Sequence, residues 1–146
     1  MKVLLDENVP VALLTVTQKL LQPQHEVEHV CALGWAGKPD VSVLRDARTR
    51  RYDVLLTNDL KQYQNPEECD AIRRSGLHHV TYRLPEDGLD GLALACAAIC
   101  AAVRGLIAEL ATAPGQRIGA VTSLPRDREA YTITNPGTRP PSRYWR

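Results

Sequence analysis

The chain has 146 residues, room for one domain and a modest tail, and its 44% hydrophobic and 24% charged content is that of a soluble globular protein. Lys plus Arg (18) nearly balance Asp plus Glu (17), which excludes a protein whose net charge alone marks it as a nucleic-acid binder. There is no Phe, so a core must rest on Leu, Val, Ile and Ala.

Lys2 to Leu5 is a short apolar run that ends abruptly in Asp6-Glu7-Asn8, the pattern of a buried parallel strand whose carboxyl end emerges into polar surroundings. Asn8 suits a helix N-cap, and Pro10 is tolerated in a first turn. Val9, Leu13, Val16 and Leu20 follow at helical spacing until Pro23. His25 to Cys31, with Val27 and Val30, reads as the second strand, and a Gly-containing loop runs from Leu33 to Pro39. Asp40 stands where an N-cap belongs, ahead of Val41, Leu44 and Ala47. Tyr52 to Thr57 is the clearest strand in the chain and ends in Asn58-Asp59. A helix is expected over Pro66 to Ser75 with Gly76 as its C-cap, then a fourth strand over His79 to Leu84.

Asp87 can cap a long last helix with the seam Leu89, Leu92, Cys96, Ile99, Val103, Leu106 and Leu110. At 1.5 Å per residue such a helix runs about 35 Å, more than a small sheet needs, so part of its seam over 88–111 suits a homodimer interface. Its most apolar stretch, Leu92 to Val103, stops at Arg104, short of the roughly 20 residues a bilayer span requires; no membrane segment is expected. Strands alternating with helices imply right-handed β-α-β units and a mainly parallel sheet of four or five strands, a three-layer α/β/α domain over residues 1–112. Past residue 112, Arg117 to Leu124 and Ala130 to Thr134 suit a β-hairpin, and a Pro/Arg-rich tail ends the chain. Tyr144 and Trp145 in that tail suit docking on the body or on a partner.

The four cysteines (Cys31, Cys69, Cys96, Cys100) contain no CxxC pair, and the chain opens on a strand without a secretory pattern, so a cytoplasmic protein with free thiols is expected.

Ligands of open parallel sheets bind at the carboxyl ends of the strands. Asp6 and Asp59 fall there, and Asp40 opens the helix that feeds the third strand, pointing to the same end. Three converging carboxylates repel unless a cation, shifted pKa values or water separates them. Mg²⁺ or Mn²⁺ suits such oxygen ligands, and the ion activates a water for phosphodiester attack. The plainer alternative is that Asp40 only caps its helix and Glu7 lies on the surface. Arg45, Arg48, Arg50 and Arg51 cluster, and Arg126, Arg128, Arg139, Arg143 and Arg146 lie in the tail. Both groups suit phosphates, and the plainer reading is a solvated helix face and tail.

Leu4-Leu5-Asp6-Glu7-Asn8, His25-Glu26-Val27 and Leu55-Leu56-Thr57-Asn58-Asp59 together resemble the small PIN-like domains, relatives of the toxin nucleases of bacterial toxin–antitoxin pairs. The resemblance covers residues 1 to about 84. It implies a PIN-type fold, metal-dependent endoribonuclease chemistry on RNA and a cognate antitoxin protein. It also implies Asp6 and Asp59 as Mg²⁺ or Mn²⁺ ligands, with Thr57 and Asn8 orienting them or the bound water. Position in the sheet adds Asp40 as the third catalytic acid and metal ligand, with Glu7, Asn58 and Lys61 in support, and Arg45, Arg48 and Arg51 are expected to hold the RNA backbone. PIN nucleases usually carry a fourth acid. None follows closely after Asp59, where Lys61 stands instead, so a silent PIN-like module that binds RNA or protein is the alternative.

Two further alternatives meet objections. His25-Glu26-Val27-Glu28-His29 matches HExxH, but on a strand its two histidines stand about 13 Å apart and cannot share one Zn²⁺. A phosphoacceptor receiver domain also has acids after its first and third strands and a Thr near its fourth, here Thr81. It needs a lysine after strand five, and the only lysines are Lys2, Lys19, Lys38 and Lys61. A dinucleotide-binding domain lacks its GxGxxG.

Overall fold

In the computed structural model, which describes residues 1–124, five strands line up in parallel in the order β2-β1-β3-β4-β5. They are β1 (Lys2–Leu5), β2 (Glu26–His29), β3 (Val54–Thr57), β4 (His78–Tyr82) and β5 (Ile118–Val121). Helices α1 (Ala12–Leu21), α2 (Asp40–Thr49), α3 (Pro66–Ser75) and α4 (Gly88–Thr112) connect them, with a 3₁₀ turn, Leu60–Gln64, after β3. The fold is the expected α/β/α arrangement. The alternation of side chains along each strand divides the core in two. Val3, Leu5, Val54, Leu56, Val80 and Tyr82 pack on the α1/α4 side, while Leu4 and Leu55 pack with Val43, Leu44 and Ile72 on the α2/α3 side.

Central strands buried on both faces must be apolar throughout, and Val54, Leu55 and Leu56 are each 4% exposed or less. α3 follows its local signals closely: Asn65 caps it by accepting from the Glu67 and Glu68 amides, Pro66 opens it, and Gly76 closes it with a left-handed φ of 71°.

Two local expectations are corrected. Asn8 does not cap α1, which begins four residues later at Ala12 with Val11 at the N-cap. Asp40 is the first residue of α2 rather than its cap, a place held by Pro39, and its side chain bonds elsewhere. Arg117 to Leu124 contains β5, which pairs in parallel with β4 (His79 opposite Ile118) and so joins the sheet as its edge strand. The other arm, Ala130 to Thr134, lies outside the described residues, as do the tail arginines, Tyr144 and Trp145.

On α4 the buried stripe is Gly91, Ala95, Ala98, Ile99, Val103, Ile107 and Leu110. Leu92, Cys96 and Leu106 of the expected seam are half-buried, and Leu89 is 82% exposed. By length and composition α4 is apolar enough to cross a membrane, but here it packs on α1, β4 and β5.

Candidate functional site

In the order β2-β1-β3, the chain leaves β1 toward one side of the sheet and β3 toward the other, which opens a crevice at their carboxyl ends. That crevice is a cleft of about 260 Å³ lined by Asp6, Glu7, Asn8, Val30, Lys38, Asp40, Val43 and Asp59. The three expected acids therefore share one cavity.

Asp6 is the deepest of them at 7% exposure. Its amide continues the ladder to Leu56 O (2.9 Å), which seats the residue firmly at the sheet's end. One carboxylate oxygen, Oδ2, accepts from Thr57 Oγ1 (2.6 Å), and the other accepts from the Glu7 amide (2.8 Å). Thr57 Oγ1 in turn accepts from the Asp59 amide (3.0 Å). One buried hydroxyl thus joins the acid after β1 to the backbone that carries the acid after β3. Asp59 caps the 3₁₀ turn by accepting from the Lys61 amide (2.9 Å).

Asn8 accepts from the Asn58 amide (3.2 Å), tying the β1 turn to the β3 turn. Glu7 accepts from the Gly37 amide (2.8 Å), which holds the loop before α2 over the cleft. Lys38, the one cation in the lining, is drawn away: its ammonium pairs with Asp46 and lies over the Trp35 ring, 4.7 Å from its centroid.

Asp40 reaches the cleft from α2 and accepts from Gln62 Nε2 (3.0 Å). Burial raises its pKa above the ordinary carboxylate value; the Gln62 hydrogen bond opposes this, and the charges of Asp6, Asp59 and Glu7 add to it. Glu68, on the first turn of α3, is raised by burial and then by Asp40 and Asp59, so a further acid lies within the field of the cleft. Its sequence signal was weak, because Glu67-Glu68 reads as an ordinary acidic first turn.

The arginines stand apart. Arg45 and Arg48 line a separate groove of about 300 Å³ between α2 and α3, with Glu67, Asp70 and Arg74. Arg51 lies past the end of α2 at a φ of 59° and is not part of that lining. Lys61 is exposed on the turn that Asp59 caps.

A family model described as a PIN-like domain matches residues 1–83, the part of the chain that carries all of this cleft's lining. The chain belongs to the PIN-like domain family. No curated protein and no solved structure matches it. PIN-like domains are typically metal-dependent, which makes the donor set the deciding chemistry. Among the described residues, no three His, Cys, Asp or Glu side chains lie close enough together to hold one ion between them. A closed protein cage does not fit this cleft. Hydrated Mg²⁺ or Mn²⁺ does, because Mg²⁺ commonly takes one or two carboxylates and keeps several waters.

The strand order is also the one receiver domains use, so topology alone does not separate the two readings. The residues do: β5 is followed by Thr122-Ser123-Leu124, with no lysine, and Thr57 occupies the end of β3. The HExxH histidines have separate partners, His25 Nδ1 lying 2.9 Å from the Met1 amine. His29 lies on β2, fully buried, with Nε2 on Val9 O (2.8 Å) and Nδ1 accepting from the Cys31 amide (3.0 Å).

Proposed function

We propose that this PIN-like domain is a Mg²⁺- or Mn²⁺-dependent endoribonuclease, the toxin of a toxin–antitoxin pair acting in the cytoplasm. The observation that carries the reading is the gathering of Asp6, Asp40 and Asp59 in one cleft at the β1/β3 crevice. A bound divalent ion supplies charge neutralisation at a phosphodiester and an acidified water. Asp6, Asp40 and Asp59 would hold it hydrated, one or two of them by their carboxylates and the rest through its waters. Thr57 and the Glu7 amide fix the Asp6 carboxylate, Asn8 locks the two strand-end turns together, and Glu7 keeps the loop before α2 in place. Lys61 is the nearest exposed cation on the Asp59 turn, and Arg45 and Arg48 offer phosphate contacts farther along α2.

RNA cleavage by the purified chain with Mn²⁺, with a chelator, and by Asp6→Asn and Asp59→Asn tests the reading. Activity that survives chelation, or that is as high in both variants as in the wild type, would sink it. Growth arrest on expression, relieved by Asp6→Asn, tests the toxin role. A second reading has its own support: with no three acids near one point among the described residues, the same fold serves as a module that binds RNA without cutting it. RNA binding without cleavage, unaffected by Asp6→Asn, would favour that alternative.

A further inference from the structure

Gln62 and Tyr63, neighbours on the turn that Asp59 caps, grip both ring nitrogens of His79 on β4. Gln62 Oε1 lies 3.0 Å from His79 Nε2, and the Tyr63 hydroxyl lies 2.6 Å from His79 Nδ1. The Tyr63 ring meets the imidazole edge-on, with centroids 5.2 Å apart. His79 is 0% exposed and Gln62 1% exposed. The amide nitrogen of Gln62 then reaches across to Asp40 Oδ2 at 3.0 Å.

With Asp40 ionised, the hydrogens of this chain can be assigned by elimination. A carboxylate only accepts, so Gln62 turns its NH₂ to Asp40 and its carbonyl to His79. His79 must then carry its hydrogen on Nε2, which leaves Nδ1 to accept from the Tyr63 hydroxyl. Three donors point the same way, from Tyr63 through His79 and Gln62 to Asp40. A glutamine held at its other end by a buried imidazole cannot swing, and so it sets where the Asp40 carboxylate rests. It does so from the turn that begins at Asp59, which links the two acids although their elements lie far apart in the chain.

We infer that Gln62, anchored by His79 and Tyr63, is a positioning residue that holds the Asp40 carboxylate in register with Asp59 for a divalent cation. This rests on the reading of Asp40 as one of the cation-binding acids. Buried partners that orient a metal-binding carboxylate commonly contribute on the order of 10- to 100-fold in metal affinity.

The test is Mn²⁺ affinity, measured by titration calorimetry and by loss of the free-ion paramagnetic resonance signal, with the fold of each variant followed by circular dichroism. Gln62→Leu is expected to weaken Mn²⁺ binding on the order of 10- to 100-fold, and to add nothing further in an Asp40→Asn background. His79→Gln, which keeps a nitrogen donor at the ε position, should hold affinity near wild type, whereas His79→Leu should lose it as Gln62→Leu does. If Gln62→Leu does not fold, Gln62→Met, of nearly equal volume, carries the same comparison. Weakening by Asp40→Asn with none by Gln62→Leu, or full additivity of the two, overturns the positioning role alone. Unchanged Mn²⁺ binding in Asp40→Asn, or no Mn²⁺ binding by the wild type, overturns the reading of Asp40 and the inference with it.

Discussion

The Thr57 hydroxyl donates to Asp6 Oδ2 at 2.6 Å while accepting from the Asp59 amide at 3.0 Å, so a single buried oxygen sets the spacing between two strand ends. Thr57 is fully buried, and its hydrogen bond goes to a charged acceptor, a class worth about 1.5–3 kcal/mol. Thr57→Val, which keeps the shape and removes the hydroxyl, should lower unfolding stability by about that amount. Thr57→Ser should recover most of it. Urea denaturation at neutral pH reads both. Equal stability of the Val and wild-type chains would mean that the Asp6 carboxylate draws its support from the Glu7 amide alone.

Acid lability should trace to His79. Burial pushes its pKa down from 6.5 to about 4, so the folded imidazole stays neutral where an unfolded one gains a proton. Below pH 6.5 the unfolded chain therefore binds more protons, and stability falls as pH drops toward 4. The accumulated loss is about 3 kcal/mol. His25 and His78 are lowered too, chiefly by burial, and act in the same direction. His79→Gln should flatten the stability curve between pH 6.5 and 4 by one proton's worth of slope. A slope identical to wild type would show that His79 titrates normally in the folded state.

The cleft was legible where the signal is local, and hidden where the partner is distant. Asp6 and Asp59 stand out because an apolar run that stops at an acid marks a strand's exposed end. Asp40 was placed correctly, but its role as a helix cap was not, since its hydrogen bond goes to Gln62 across the cleft. Asn8 failed the same way: the chain makes a turn after Asp6, with the Val9 amide on Asp6 O, and the Asn8 side chain is taken by Asn58. Gln62 carried no signal, because a glutamine beside Lys61 and Tyr63 reads as surface until tertiary packing buries it. The strand character of Ile118–Val121 was legible, but its pairing with β4 was not, because β4 lies across the whole of α4 in sequence. The expected seam departs from the buried stripe of α4 at its start, where Leu89 is 82% exposed and Gly91 is buried, but meets it at Ile99, Val103 and Leu110.

Gly91 offers a test of how α4 is launched. A Cβ built there would lie 1.7 Å from the Glu86 carbonyl oxygen, a backbone atom that cannot turn aside as a side chain would. Gly91→Ala should force the segment before α4 to shift, at a cost of about 1–3 kcal/mol, despite alanine's better helix propensity. Gly105, with open space around its Cβ position, is the matched control. Gly105→Ala should stabilise by up to about 1 kcal/mol. Thermal unfolding of the two variants should therefore move in opposite directions, and a stabilised Gly91→Ala would mean that the Glu86 carbonyl has room to yield.

The α2/α3 groove is separate from the cleft, so phosphate contacts there can be tested independently of the acids. Arg45 is 71% exposed at its side chain, and Arg48 reaches the Arg74 carbonyl, so both cations lie on one surface. Asp70 is already engaged by Arg73 and Arg74, at 2.6 and 2.8 Å, which limits how far it offsets their charge. If these arginines contact phosphates, each neutralised charge contributes a slope of about 0.7 in log affinity against log salt for a single strand. Arg45→Ala with Arg48→Ala should then flatten the salt dependence of RNA binding by roughly 1.4, and weaken binding across sequences alike. Arg51→Ala, outside the groove lining, should leave that slope in place. The measurement is a fluorescence titration of an unstructured RNA at several salt concentrations, with a chelator present so that cleavage does not intrude. An unchanged slope in the double variant would assign Arg45 and Arg48 to a solvated helix face.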